Sequence, residues 1–544
     1  MKLTFIGADH EVTGSCHYLQ AAGKNILVDY GMEQGRNTFE NAPLPLSAGD
    51  IDYVFVTHAH IDHTGLLPQL SAQGFHGKIF ATYATCDLCQ IMLLDSAHIQ
   101  EFEAEWRNRK GMRKGLPAYV PLYTTEDAEK VCQRFIRCPY DQEIDVCENI
   151  RIRFNDVGHL LGSAAIEVWV KEDGEETKIV FSGDVGNTDQ PLLKEPKKIS
   201  EADYLLIEST YGDRSHGEKP DYRTALAEIL QRTFDRGGNV VIPSFAVGRT
   251  QEMLYIIREI KEQNLVKGHE DFPVYVDSPL AVRATGIFNR HNQDCFDGEA
   301  QQMIADGINP IDFPGLELAT TSDESRAINL LDTPKVILSA SGMCDAGRIK
   351  HHLKHNLWRR DSTILFVGYQ AEGSLGRELI EGEKEVTLFG ETIKVQAEIK
   401  SLKGISGHAD REGLLDWASG FTEKPKKVFV VHGDDTVVQP FADLLQEKLG
   451  FDTFAPYSGT VWDLTNNVCE KMTEGIPFVK RDENGVPITE EEHKAAKKDA
   501  PFIRLENALK RLAAVVHSCR GLPNKDLARF AEQIQSLCDK WKQE

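Results

Sequence analysis

The feature that most constrains this chain is the run Thr57-His58-Ala59-His60-Ile61-Asp62-His63-Thr64-Gly65, which sets three imidazoles and a carboxylate within six positions after the apolar stretch Tyr53-Val54-Phe55-Val56. Donors of these kinds suit zinc and its borderline neighbours, and four of them at a strand end can be divided between two ions. His58 and His60, two apart, point to the same side as the strand runs out. Asp62 and His63 begin the turn into the next segment and can face a second ion. The bland alternative, a polar loop with its histidines in solvent, leaves this register unexplained.

Further along, Asp156-Val157-Gly158-His159 follows the alternating Ile150-Arg151-Ile152-Arg153-Phe154, and Asp184 follows Lys178-Ile179-Val180-Phe181-Ser182-Gly183. Alone, each would read as a surface group or a satisfied core polar residue. Lying just past strand patterns, they can converge at one edge of an α/β sandwich. His58, His60 and His159 would then hold one zinc, Asp62 and His63 another, with Asp184 bridging both. Asp29, which ends Asn25-Ile26-Leu27-Val28, is either a ligand or the carboxylate that orients a ligating imidazole. Glycines in Gly7-Ala8-Asp9-His10-Glu11-Val12-Thr13-Gly14-Ser15 permit close backbone approach, in a site loop or a plain hairpin turn.

At 544 residues, two or three domains are expected. With 41 % hydrophobic and 27 % charged residues, the chain is neither mainly disordered nor fibrous. No apolar stretch approaches a membrane span, and Met1-Lys2-Leu3-Thr4-Phe5-Ile6-Gly7 reads as a strand entering a turn rather than a signal peptide. Eleven scattered cysteines point to a reducing compartment, so a cytoplasmic location is expected. Cys86-Asp87-Leu88-Cys89, inside a helix-like run over residues 86–98, lacks a second pair for a zinc site and reads as structural. A net charge of −23 predicts poor indiscriminate binding to polyanions, although one cleft can still be made locally positive.

Tyr204-Leu205-Leu206-Ile207 runs into Glu208-Ser209-Thr210-Tyr211-Gly212, and then the rhythm changes. Residues 213–395 read as a new α/β unit, with helices over 225–234 and 250–261 and strands over 239–242, 274–276, 335–338 and 363–367. Site-like residues return in Ile405-Ser406-Gly407-His408-Ala409-Asp410 and Lys427-Val428-Phe429-Val430-Val431-His432-Gly433, which marks the unit as an insertion.

Together, residues 7–15, the His58 stretch, His159, Asp184, Glu208 with Ser-Thr-Tyr-Gly, Ser406-Gly407-His408-Ala409-Asp410 and Val431-His432-Gly433 resemble the β-CASP branch of metallo-β-lactamase-fold nucleases over about residues 1–465. The resemblance implies an αββα sandwich over 1–208 and 396–466, interrupted by a cap over 209–395, with two zinc ions in the cleft between them. It implies that His432 completes the second ion's ligands, and that Glu208 and His408 act as a pair near the leaving group. A histidine at the place of His432 is typical of RNA-processing members. The Glu-Ser-Thr-Tyr-Gly form is closer to bacterial and archaeal relatives of the messenger-RNA cleavage endonuclease than to ribonuclease J.

The resemblance implies single-stranded RNA as the substrate; two metal ions can lower the pKa of a water and neutralise a phosphodiester, so water is the expected nucleophile, with Asp62 and Asp184 at the catalytic ions. His408 aligned by Glu208 is the expected general acid. Its alternative role is a turn residue capping the next helix. Ser339-Ala340-Ser341-Gly342-Met343, after a strand, could cradle a phosphate with backbone amides, and Arg249, Arg348, His351 and His352 could add backbone contacts. The rival classes are a small-molecule hydrolase, a DNA-processing nuclease on this fold and a noncatalytic scaffold. The inserted cap opposes the first, His432 the second and the intact ligand set the third.

Residues 467–544 fall outside the resemblance. Residues 480–498 read as a linker, followed by two helical patterns through Leu505, Leu509, Leu512 and Val516, then Leu527, Phe530, Ile534, Leu537 and Trp541. The stripe is either one side of a helical hairpin packed on the main body or a homodimer contact.

Overall fold

A computed structural model of the protein describes residues 1–35, 37–112, 118–217, 221–371, 373–402, 404, 406–478, 509, 512, 515–516, 519–520 and 524–540. The chain divides into two compact units, Met1–Ile476 and Pro477–Glu544.

Two sheets stack face to face in the first unit. One has eight strands, in the order Val468–Lys471, Val461–Asp463, Lys2–Gly7, Cys16–Ala21, Lys24–Val28, Tyr53–Phe55, Lys78–Thr82 and Phe135–Cys138. The other has seven: Thr453–Phe454, Lys427–Val431, Tyr204–Glu208, Glu175–Phe181, Ala164–Glu172, Ile150–Asp156 and Ile144–Cys147. Alternation along each strand sends Phe5, Leu19, Val28 and Phe55 inward from one sheet and Phe154, Ile166, Phe181, Leu206 and Phe429 inward from the other, forming the buried core between them. Lys24–Val28 runs parallel to Tyr53–Phe55, and Glu175–Phe181, Tyr204–Glu208 and Lys427–Val431 are mutually parallel. Their carboxyl ends therefore share an edge within each sheet.

The cap sheet is wholly parallel, in the order Leu316–Leu318, Val274–Val276, Val336–Ser339, Val240–Pro243, Thr363–Phe366 and Glu398–Ser401. Its two expected helices are Tyr222–Asp235 and Arg249–Glu262. The sheet reaches beyond the boundary expected at 395, because Glu398–Ser401 pairs with Thr363–Phe366. Glu-Ile-Lys-Ser is too polar to announce itself, but an edge strand needs only one partner. Likewise Val468–Lys471, mostly exposed, pairs with Val461–Asp463 and extends the first sheet past 466.

Cys86 and Cys89 are buried in the helix Tyr83–Met112, and burial pushes both thiols up in pKa, as a structural role requires. In the second unit, the helix Asn524–Lys540 carries Leu527, Phe530 and Ile534 half-buried and Leu537 exposed. Leu505, Trp541 and residues 480–498 lie outside the described residues. No described helix is long and apolar enough to cross a membrane.

Candidate metal centre and active site

The carboxyl ends of the parallel strands bring the expected ligands to one edge of the sandwich. Asp29 and His432 each follow a strand directly and take positive φ (59° and 50°), turning their side chains out of the sheet's alternation. The His432 turn is held by its own N–H donating to the Ala8 carbonyl (2.7 Å) and by the Ser209 N–H donating to the His432 carbonyl (3.1 Å). Gly183, at φ 56°, makes the same kind of turn before Asp184, and an added Cβ would lie 2.8 Å from the Thr57 Cβ.

Two sets of donors result. In the first, His58 Nε2 lies 3.0 Å from His60 Nδ1, His159 Nε2 lies 3.2 Å from His60 Nδ1, and Asp184 Oδ2 is 3.4 Å from His58 and 3.6 Å from His159. In the second, His63 Nε2 lies 3.2 Å from His432 Nε2. Asp184 Oδ1 is 3.3 and 3.6 Å from that pair, and Asp62 Oδ2 is 3.9 and 3.8 Å from it. The donor atoms of His58, His60, His159 and Asp184 all lie inside 4.8 Å of one another, as do those of Asp62, His63 and His432. Asp184 thus presents one oxygen to each set.

This arrangement fits two cations. Tetrahedral bonds of the usual zinc length put neighbouring donors about 3.3 Å apart, in the middle of the observed separations. Asp184 Oδ1 is buried without a hydrogen-bond partner, an arrangement that costs free energy unless a positive charge compensates it. The rings are also keyed for ligation by their second nitrogens. His58 Nδ1 lies 3.1 Å from Thr57 Oγ1, His63 Nδ1 2.8 Å from Asp29 Oδ2, His159 Nδ1 3.0 Å from the Gly407 carbonyl and His432 Nδ1 3.1 Å from Thr210 Oγ1. With Nδ1–H donating outward, each Nε2 lone pair faces inward. Burial holds His58 and His159 well below the usual imidazole range and lowers His60, favouring the neutral form a ligand needs. Burial also opposes charge on His63 and His432, but Asp184 pulls both upward, so at this set proton and cation compete for the same nitrogens.

Asp29 is an orienting carboxylate. Its oxygens accept the Thr57 N–H, the Thr57 hydroxyl and the His63 Nδ1–H, each at 2.8 Å. Thr57, Thr210 and the Gly407 carbonyl lie inside the motifs that carry His58, Glu208 and His408, but spacing alone gives them no role; that adjacency is their local signal.

His408 Nδ1 lies 3.2 Å from Glu208 Oε1, and Glu208 is anchored by the Val185 N–H (2.6 Å) and the Thr210 N–H (3.2 Å). Burial disfavours the His408 cation, yet the charge and hydrogen bond of Glu208 carry its pKa up to about 9. Helix capping falls instead to Asp410, which accepts the Gly413 N–H at the start of Arg411–Ala418. His60, Asp62, His159, His408 and His432 line one cleft of about 290 Å³, whose cap wall carries Phe245, Val247, Gly248, Arg249 and Tyr369.

Residues 11–80 match the metallo-beta-lactamase superfamily, 250–379 the Beta-Casp domain, and 392–456 the Zn-dependent metallo-hydrolase RNA specificity domain. The chain is 36% identical over 448 residues to Ribonuclease TTHA0252 of Thermus thermophilus, covering 82% of this chain and 96% of that one. It belongs to the β-CASP family of metallo-hydrolases. It is also 31% identical over 468 residues to Transcription termination factor FttA of Methanocaldococcus jannaschii and 30% identical over 469 residues to that of Methanothermobacter thermautotrophicus, in each case covering 84% of this chain and 70% of the relative.

The cap residues expected to bind this β-CASP protein's substrate are placed differently. Ser339 is buried and its hydroxyl donates to the Asp277 carbonyl. Neither it nor Ala340, Ser341 and Gly342 lines the metal cleft. Arg348 spends its guanidinium on the Asp277 carboxylate (2.6 Å) and on the Ala319 and Thr320 carbonyls. His352 is buried against the same carboxylate (2.6 Å), and His351 stacks on Phe389. A buried aspartate thus claims the groups that the sequence offered to phosphate. Arg249 does reach the cleft, as an ion pair with Glu252.

Proposed function

We propose that the protein is a zinc-dependent ribonuclease that hydrolyses phosphodiester bonds of single-stranded RNA, endonucleolytically and from 5′ ends. The observation that carries this reading is His432 in the second donor set, across one cleft from the Glu208–His408 pair. The name of the Thermus relative supports the same substrate.

His58, His60, His159 and Asp184 would hold one zinc, and Asp62, His63, His432 and Asp184 the other. When bound, such a pair supplies Lewis-acid stabilisation of the phosphodiester and a water made nucleophilic near neutral pH. His408, with Nδ1 engaged by Glu208, holds a proton on Nε2 for the departing 3′ oxygen. Water adds to phosphorus as the bond to that oxygen breaks, so the fragments carry a 5′-phosphate and a 3′-hydroxyl. A polar cleft can use the 2′-hydroxyls that DNA lacks. The stripe through Leu527, Phe530, Ile534 and Leu537 supports self-association into a homodimer rather than a part in the chemistry.

The test is cleavage of end-labelled and internally labelled oligonucleotides at matched length and salt. Single-stranded RNA should be cut well and single-stranded DNA poorly. Cyclic phosphate ends, or equal cutting of the two polymers, would refute the assignment.

A further inference from the structure

The cap wall of the cleft exposes two aromatic rings where a soluble protein has reason to hide them. Phe245 is 45% exposed and Tyr369 62%, and both line the cleft that holds His60, His159, His408 and His432. Phe245 follows the strand Val240–Pro243, Gly342 follows Val336–Ser339, and Tyr369 follows Thr363–Phe366. These three strands are neighbours in the parallel cap sheet, so their loops emerge together at the carboxyl edge, where open α/β sheets bind ligands.

The rings are held in place. An added Cβ on Gly342 would lie 3.3 Å from Phe245 Cδ2 and Cε2, and one on Gly368 would lie 3.8 Å from Cε2. Bare backbone therefore supports one side of the ring, leaving its exposed side to the cleft. The buried Gln370 amide nitrogen lies 3.0, 3.2 and 2.9 Å from the Gly342, Gly368 and Tyr369 carbonyls, joining the loop beneath Phe245 to the loop that carries Tyr369. The Phe245 carbonyl accepts the Thr250 hydroxyl at 2.7 Å. The cationic side chain on this wall, Arg249, is paired with Glu252. The wall thus offers apolar ring surface, which suits a base better than a phosphate.

We infer that Phe245 and Tyr369 form a nucleobase-stacking subsite, which grips single-stranded RNA beside the scissile phosphate without reading its sequence. The inference rests on the ribonuclease reading above and adds the means by which an acidic chain retains a polyanion. Every base offers a π face, so stacking is sequence-tolerant. It also owes less to counterion release than binding through a basic groove does.

The experiment uses the full-length, metal-loaded protein and short single-stranded RNAs in which one nucleotide at a time is replaced by an abasic ribose, with methyl p-nitrophenyl phosphate as a base-free diester. For the wild type, one or two adjacent abasic positions next to the cut should raise KM roughly 5- to 100-fold, the range that loss of one base–aromatic stack brings. Phe245→Ala and Tyr369→Ala should raise KM on intact RNA in the same range, Phe245→Trp should restore it, and Phe245→Ala should become insensitive to the abasic position that hurts the wild type.

Equal KM for intact RNA and every abasic RNA with the wild-type protein would overturn the subsite, whatever the variants do. So would fully additive losses from Phe245→Ala and the abasic positions. If the wild type turns over the base-free diester but leaves intact RNA uncut, the ribonuclease reading itself fails. If intact RNA is cut with no abasic effect, that reading stands and only the stacking subsite is lost.

Discussion

Asp29→Asn changes one atom and should separate the two donor sets. Asp29 Oδ2 accepts both the Thr57 hydroxyl and the His63 Nδ1–H, and Oδ1 accepts the Thr57 N–H, all at 2.8 Å. The asparagine oxygen must take the Oδ2 place, because an NH₂ there would oppose two donors. It would also force His63 into the tautomer whose Nε2 carries hydrogen and cannot ligate. The NH₂ then faces the Thr57 N–H, leaving one buried donor unsatisfied at about 1–3 kcal/mol of stability. Thr57 keeps its hydroxyl bond, and with it the contact to His58 Nδ1. His63 loses the negative charge that raised its basicity, a change that weakens metal binding by about 10- to 100-fold. Elemental analysis after dialysis against buffered zinc should show one site filling as in the wild type and the other needing that much more zinc. Wild-type affinity at both sites would refute the orienting role of Asp29. Equal loss at both sites in a folded protein would refute the division into two sets.

Asp184→Ala should lose both metal ions and all hydrolysis while its circular dichroism stays folded; a loaded, active variant would remove the bridging role. His408→Ala should keep metal and RNA binding, measured by elemental analysis and filter binding, but cleave about 10²- to 10⁴-fold more slowly, as loss of a general acid predicts. Burial lifts the Asp156 carboxyl to about 7, although it accepts the Gly158 N–H at 2.9 Å. The folded chain therefore holds a proton that the unfolded chain releases near pH 4, so this contribution to stability is present below about pH 4 and lost as pH rises through about 7. Asp156→Asn removes that loss, and denaturant titration should find it more stable than wild type at pH 8, by up to about 4 kcal/mol for a shift of about 3 pH units, and no more stable at pH 4.

The six-residue run from His58 to His63 was legible as a candidate metal site because three imidazoles and a carboxylate in that register are the donor types a zinc site uses. His159 and Asp184 could be added because each stands just past a strand pattern. The cap's strands at 240–243, 274–276, 336–339 and 363–366 were readable within a residue or so, since buried parallel strands are short continuous apolar runs. The edge strands Glu398–Ser401 and Val468–Lys471 were not, because half their backbone faces solvent and their composition stays polar.

What the sequence determined by itself was the inventory: which donors exist, and that several end strands. Only the tertiary structure decided how they are shared. Asp29 had two readings until the fold set it beside Thr57 and His63 rather than among the donors. Arg348 and His352 looked available to phosphate until Asp277, more than 70 residues away in the chain, was found to hold both. Phe245 and Tyr369, 124 positions apart, have no common signal along the chain and line one cleft only because their strands are neighbours in the cap sheet. Ligand chemistry is local and shows in spacing, whereas orientation and competition for partners are set by packing between segments that the sequence does not place side by side.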